Sequence, residues 1–442
     1  MVPNKTSKKR SLSKRISIKS KRSKAFEIFQ STFQKCTSQL LSHKSTTPLF
    51  VMLAAEMRKA AARDFEKFME TNGNKTTSSN GNTDGYNLEA KHRNALKTHI
   101  RRINEYKLAL EMLQRSSLIT IFGVYDETFG NLLRAIAATD FAKHLLKEKD
   151  VKADVIFSSA DWASAKETVI EKLVLDIQHK SHLEQIEYLE GLFAKNGKKS
   201  LLRISDDQRW ETFIEASQRR HLFVHTGGIV SEKYLIGIRE ISKDTTRHAV
   251  GDQLGVSGKY FADSVDAVFE QMFCMIAVCW RICCKDESKN INSDLISVAF
   301  DCLDRGNYEL STRLFKFIQF YTCDKDSEDE ALSMINLAQS YKWQGMNQES
   351  QEVLSKIPAE WMAKDRYRLA YHVLRDEFDL AADMLERYNP EYKISEADFL
   401  DWPLFKEFRN HSRFNESFKI AFGRYPENGD LIKRPKVVKQ DD

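Results

Sequence analysis

The stretch SSLITIFGVYDETFGNLLRAI, residues 116–136, decides the fold. Its β-branched start suits a strand. The apolar positions do not alternate, however. Leu118, Phe122, Tyr125, Phe129, Leu132 and Leu133 fall at the spacing that gathers side chains on one face of a helix. The segment is therefore predicted helical. Upstream, Leu96, Ile100, Ile103, Leu110 and Leu113 keep the same period. Further helices are predicted at 163–177, 181–194, 207–225 and 260–284. The paired Gly227 and Gly228 end the helix 207–225, since glycine takes the left-handed turn that closes helices at little cost. Only 17 Gly and 7 Pro are spread over 442 residues, too few for the turns of a strand-rich fold or for glycine-rich phosphate loops. The predicted fold class is all-α.

Composition narrows the function classes. Hydrophobic content of 42% and charged content of 30% belong to a globular chain long enough for two to four domains. No run of 18 apolar residues marks a membrane span, and no apolar stretch follows the basic start as in a secretory signal. The acid-free start also lacks the apolar stripe of a mitochondrial address. Seven cysteines read as reduced thiols of a cytoplasmic protein. Cys274, Cys279, Cys283 and Cys284 lie within FCMIAVCWRICC and, without a CxxC knuckle, read as small buried side chains of a core helix.

Charge is unevenly spread. Residues 1–24 hold ten Lys or Arg and no acid, so removing them turns the net +5 of the chain into −5. This basic tail is read as disordered. It either grips nucleic-acid phosphates or an acidic partner, or is a solvated extension. Residues 25–71 are predicted as helices broken in two at Pro48. The polar segment 72–85, rich in Gly and Asn, reads as a flexible linker or a long loop, and as the clearest boundary. A helical domain is expected over 86–285. Beyond it, helix pairs fill 290–424, with related segments at 299–317, 337–357 and 370–388, a helical cap at 401–423 and a charged tail at 425–442. These pairs resemble divergent tetratricopeptide-type repeats, whose hairpins stack because none buries its apolar face alone.

The segment that carries chemistry is ASQRRHLFVHTGGIVSEKYL, residues 216–235. Arg220 is followed by the polar His221, three apolar residues and His225, then Gly-Gly-Ile-Val and Tyr234-Leu235. Together with 116–135, this pattern resembles the HEPN superfamily and its Arg-x4-His ribonuclease motif, over about 200 residues. The resemblance implies a metal-independent endoribonuclease with no cofactor, acting on RNA. It names Arg220 and His225 as catalytic, His221 as supporting and Arg219 as the alternative arginine.

The chemistry suits those residue types. A histidine titrating near neutrality takes a proton from a ribose 2′-hydroxyl, then returns one as an acid. An arginine fork stabilises the extra negative charge on phosphorus. His221 and His225, four residues apart, lack the glutamate and third ligand of a zinc site. On a straight helix Arg220 and His225 sit about 140° apart. The family's two-fold pairing would resolve this in a composite site, which implies a homodimer. The resemblance also associates such domains with prokaryotic defence, toxin or stress systems. The competing class is a dimerising scaffold in which the repeats bind a protein partner. Glu167, Glu171 and Asp126 read as solvated or structural.

Overall fold

A computed structural model describes residues 23–77, 83–146, 160–193, 202–203, 207–239, 248–322, 324, 327–389 and 392–426. Residues 1–22 of the basic tail and 427–442 of the charged tail lie outside them. The fold is all-α, with one two-stranded sheet among the described residues. The chain divides into two compact units, one running through Glu287 and the other from Ser288.

The first unit is built on two long helices, α1 (Lys24–Asn72) and α2 (Arg93–Ala137), joined by strands β1 (Gly73–Thr77) and β2 (Thr83–Leu88). Then come α3 (Trp162–Gln178), α4 (His182–Phe193), α5 (Asp207–His225), α6 (Glu232–Arg239) and α7 (Gly258–Cys283). A short helical segment, Ala142–Leu145, follows α2.

Helix α7 holds this unit together. From Phe261 to Trp280 it is buried on nearly every side, as expected of a helix whose apolar residues are not confined to one stripe. Trp280 is fully buried, with the rings of Phe26, Phe29 and Phe33 of α1 at 5.0, 6.1 and 6.0 Å. Cys274, Cys279 and Cys284 are buried as expected, whereas Cys283 is half-buried; desolvation pushes the thiol of Cys284 up to about 11 and that of Cys283 to about 12. These are inert core side chains.

Two expectations need correction. Pro48 does not break the first helical segment: α1 runs unbroken through it. Proline removes one backbone donor and crowds the preceding turn, a cost of about 3 kcal/mol in a helix interior. Packing on both sides of Pro48 offsets that cost. Before it, Phe26, Phe29 and Phe33 are anchored on α7; after it, α1 lies antiparallel to α2, with Phe68 stacked on His99 at 4.8 Å and Asp64 paired to Arg102 at 3.4 Å. The segment 72–85 is also not a domain boundary. Its described residues enter an antiparallel hairpin in which Gly73 faces Leu88 and Lys75 faces Tyr86, and α1 belongs to the same compact unit as α2. Polar, turn-rich composition serves a hairpin as well as a linker. Residues 86–285 thus lack the aromatic cover that α1 supplies.

The second unit is a series of helix pairs: α8 (Ser288–Asp304) with α9 (Tyr308–Tyr321), α10 (Glu328–Lys342) with α11 (Asn347–Leu354), and α12 (Asp365–Leu374) with α13 (Phe378–Glu386). Shorter segments Ala359–Met362 and Glu396–Asp401 and a final helix, α14 (Phe414–Phe422), accompany them. The three related sequence segments correspond to one repeated turn. Each first helix closes on a left-handed residue: Gly306 at φ 77°, Gly345 at φ 77° and Asp376 at φ 61°. The next amide then donates back across the turn, Asn307 to Cys302 at 2.8 Å, Met346 to Tyr341 at 3.0 Å and Glu377 to His372 at 3.0 Å. This is the glycine-capped helix end, used three times. Asp376 tolerates the conformation as Asp does, and its carboxylate pairs with the buried ammonium of Lys342.

A Cβ at Gly306 or Gly345 would meet no close neighbour, so the effect of alanine there is purely conformational. Gly306→Ala and Gly345→Ala are each expected to lower the unfolding free energy by about 1–2 kcal/mol, the cost of a left-handed L-residue. Urea unfolding measures it; an unchanged midpoint would show that the turn is not held by its partners.

Candidate functional site

Helix α5 presents different chemistry on each side. Phe213, Ile214, Ala216 and Leu222 are buried, with Phe213 against Phe122 and Tyr125 of α2 at 6.0 and 5.6 Å. On one flank, Glu215 accepts from Tyr234 Oη at 2.6 Å, Tyr260 Oη at 2.5 Å and Arg219 Nε at 2.7 Å. Arg219 also donates to the Gly255 carbonyl at 2.9 Å and lies 4.0 Å from the centre of the Tyr260 ring. Burial, then the Glu215 charge, lifts the Tyr260 hydroxyl far above the usual phenol range, so it stays a donor. This clamp ties α5 to α6 and α7, and it occupies Arg219.

Arg220 lies about 100° further round the helix and points elsewhere. Its guanidinium donates to Asp126 Oδ2 at 3.2 Å, while its Nε is buried without a partner among the described residues. The other Asp126 oxygen lies 3.1 Å from His182 Nε2, and His182 Nδ1 lies 2.5 Å from Ser217 Oγ. With Nε2–H donating to Asp126, Nδ1 accepts from the Ser217 hydroxyl. A chain of four side chains from three helices therefore fixes the Arg220 fork.

Arg220, His221 and His225 line one cavity of about 700 Å³ together with Asp126, His182, Lys180, Lys233 and Glu184. Arg219 does not line it. The angle between Arg220 and His225 is accommodated because the cavity spans a broad arc of α5, from Arg220 through Ser217 and His221 to His225 and Gln218. Both motif residues thus face one space within a single chain.

No protein-family model, curated protein or solved structure matches this chain. The geometry stands by itself.

The rings of His221 and His225 are 4.3 Å apart at the exposed end of α5. Partial burial lowers the pKa of His221, and the neighbouring His225, Lys233 and Arg220 lower it further, because each opposes a second positive charge. His221 is therefore unprotonated at neutral pH. The helix end itself is fixed by glycine. Gly228 has φ 94°, and a Cβ there would lie 2.8 Å from Phe223 and from Gln253. The segment that follows is clipped to 249–254, with Val230 donating to Asp252 at 2.9 Å and Leu254 donating to Gly228 at 2.9 Å.

Sequence reasoning set Asp126 aside, and it did not single out His182, Ser217, Lys180 or Lys233. The signal at Asp126 was its position between Phe122, Tyr125 and Phe129: a carboxylate at the edge of an apolar face needs a partner. Glu171 is held by Arg134 at 2.6 and 2.7 Å, and Glu167 is exposed. Among the described residues, no group of three or more His, Cys, Asp or Glu is arranged to hold a metal ion.

The His221 midpoint, followed by proton–carbon NMR, is expected below the ordinary 6.5. It should rise in Lys233→Ala and in His225→Ala. Because the unfolded imidazole binds its proton at higher pH than the folded one, the neutral ring stabilises the fold above about pH 6.5, and that contribution is lost as pH falls. A midpoint at or above the ordinary value would contradict the arrangement described.

Proposed function

We propose that this chain is a metal-independent endoribonuclease of HEPN type, acting in the cytoplasm. The observation that carries the reading is the convergence of Arg220, His221 and His225 on one cavity, whose other charged residues are Lys180 and Lys233 against Asp126 and Glu184, a net positive charge. Such a site attracts a phosphodiester. In the step proposed, the 2′-oxygen bonds to phosphorus and the bond from phosphorus to the 5′-oxygen breaks. His221, unprotonated near neutrality, takes the 2′ proton, and His225 gives a proton to the departing 5′-oxygen. Arg220, aimed by Asp126, donates to the non-bridging oxygens as charge grows on them. The products are a 2′,3′-cyclic phosphate and a 5′-hydroxyl. The helical hairpins of 290–424, read as tetratricopeptide-type repeats, would hold a protein partner that controls the site. Prokaryotic defence, toxin or stress response is the setting that the family resemblance brings to this reading.

A second reading, a dimerising scaffold, has its own support. Leu49, Phe50, Met52 and Leu53 of α1 are each about 60% exposed. Four large apolar side chains within five residues mark a surface that another chain covers, and a second copy is the partner the resemblance implies.

Wild-type protein is expected to cleave RNA in EDTA, and the acid limb of its pH–rate profile should fall below pH 6.5 with the depressed His221. His225→Ala should lose about a hundredfold or more in rate, with a melting temperature unchanged for an exposed residue. Arg220→Ala should lose as much activity and also some stability, since it leaves Asp126 short of a partner. Strict dependence on added divalent metal would sink the mechanism. Dimers by light scattering without any cleavage, unaffected by either variant, would favour the scaffold.

A further inference from the structure

The first half of α2 has no role in the site described. Residues 93–115 carry six basic side chains, Arg93, Lys97, Arg101, Arg102, Lys107 and Arg115, against Glu105 and Glu111, a local net of +4 in a chain that is −5 beyond its basic tail. Arg102 is turned toward α1, where it pairs with Asp64. The others are not. Leu96, Ile103 and Leu110, at heptad spacing, are half-buried, whereas Arg93, Lys97, Arg101 and Lys107 are exposed. Arg93, Lys97 and Lys107 have no carboxylate partner among the described residues. Exposed Ile100, Leu108 and Met112 lie among them.

Helical phase connects this surface to the cavity. Five turns separate residues about 18 apart, and eight turns separate residues about 29 apart. Lys97, Arg115 and Asp126 therefore lie nearly in line along α2, with Leu108 three turns from Lys97. Asp126 is in the cavity wall. Arg115 donates to the Gly227 carbonyl at 3.1 Å, two residues beyond His225. The basic face thus starts at the catalytic end of α5 and runs outward along α2.

We infer that this face is the track along which a single-stranded RNA is held on its way into the cavity. The inference rests on the nuclease reading and extends it to the shape of the substrate. The phosphates would lie on Arg93, Lys97, Arg101 and Lys107, and bases would lean on the apolar side chains between them. Lys97 and Asp126 are about 44 Å apart along the helix at 1.5 Å per residue. At roughly 3.4 Å per stacked nucleotide this holds about a dozen nucleotides. The substrate is accordingly an unpaired strand of that length or longer.

The test is binding, separated from turnover. Fluorescence anisotropy of the full chain is measured with 2′-O-methyl RNA, which lacks the attacking hydroxyl, as a 4-mer and a 16-mer. The 16-mer should bind at least tenfold more tightly than the 4-mer. Lys97→Ala/Arg101→Ala should abolish that advantage and reduce the slope of log Kd against log salt by about 1.4, at about 0.7 per lost single-strand contact. The 4-mer should bind the double variant as it binds wild type. Equal affinity for the two lengths, or a double variant with wild-type affinity for the 16-mer, would overturn the track. Binding to phosphatidylserine vesicles with none to the 16-mer would assign the face to a lipid surface instead. Length-dependent binding by a protein that never cleaves unmodified RNA would leave the track standing and remove the nuclease reading alone.

Discussion

Burial of the helix Gly258–Cys283 sets where everything else in the first unit can be. A helix apolar on nearly all sides needs cover on all sides, and here α1, α2 and α5 supply it. Apolar cover alone leaves a helix free to rotate. The rotation of α5 is fixed by Glu215, whose oxygens accept from Tyr234, Tyr260 and Arg219 at once. A carboxylate drawn toward the core is costly unless its lone pairs are used, so only one phase of α5 satisfies it. That phase turns Arg219 into the clamp and Arg220 out toward the cavity.

This explains what the sequence could and could not reveal. The helical period from Leu96 to Leu133, the helix end at Gly227 and the burial of Cys274, Cys279 and Cys284 all follow from local spacing; Cys283, read the same way, is half-buried. The neighbours Arg219 and Arg220 could not be told apart in the sequence, because their difference lies in helix phase and phase is set by Tyr234 and Tyr260. At Asp126 the local pattern signals that a partner is needed, but not which one: His182 and Arg220 are 56 and 94 residues away. At Pro48 a local rule yielded to packing over the whole length of α1, which no window around the proline contains. In the second unit the repeated turn was visible as Gly306 and Gly345. Its third copy, within 370–388, was legible too, although there Asp376 fills a glycine's place with help from Lys342.

The pairing of Arg220 with Asp126 carries a tension that bears on how the cavity handles an anion. A carboxylate beside the guanidinium competes with any phosphate for it, yet a free arginine on a flexible stem would have to be ordered when the phosphate arrives. Here that ordering is done beforehand. Asp126 takes one amino group of the fork, and His182 and Ser217 hold Asp126 in turn. Three cations, Arg220, Lys180 and Lys233, line the cavity against two carboxylates, Asp126 and Glu184, so it keeps one net positive charge with its imidazoles neutral. A phosphate entering it would therefore meet attraction from that charge and an arginine already aimed.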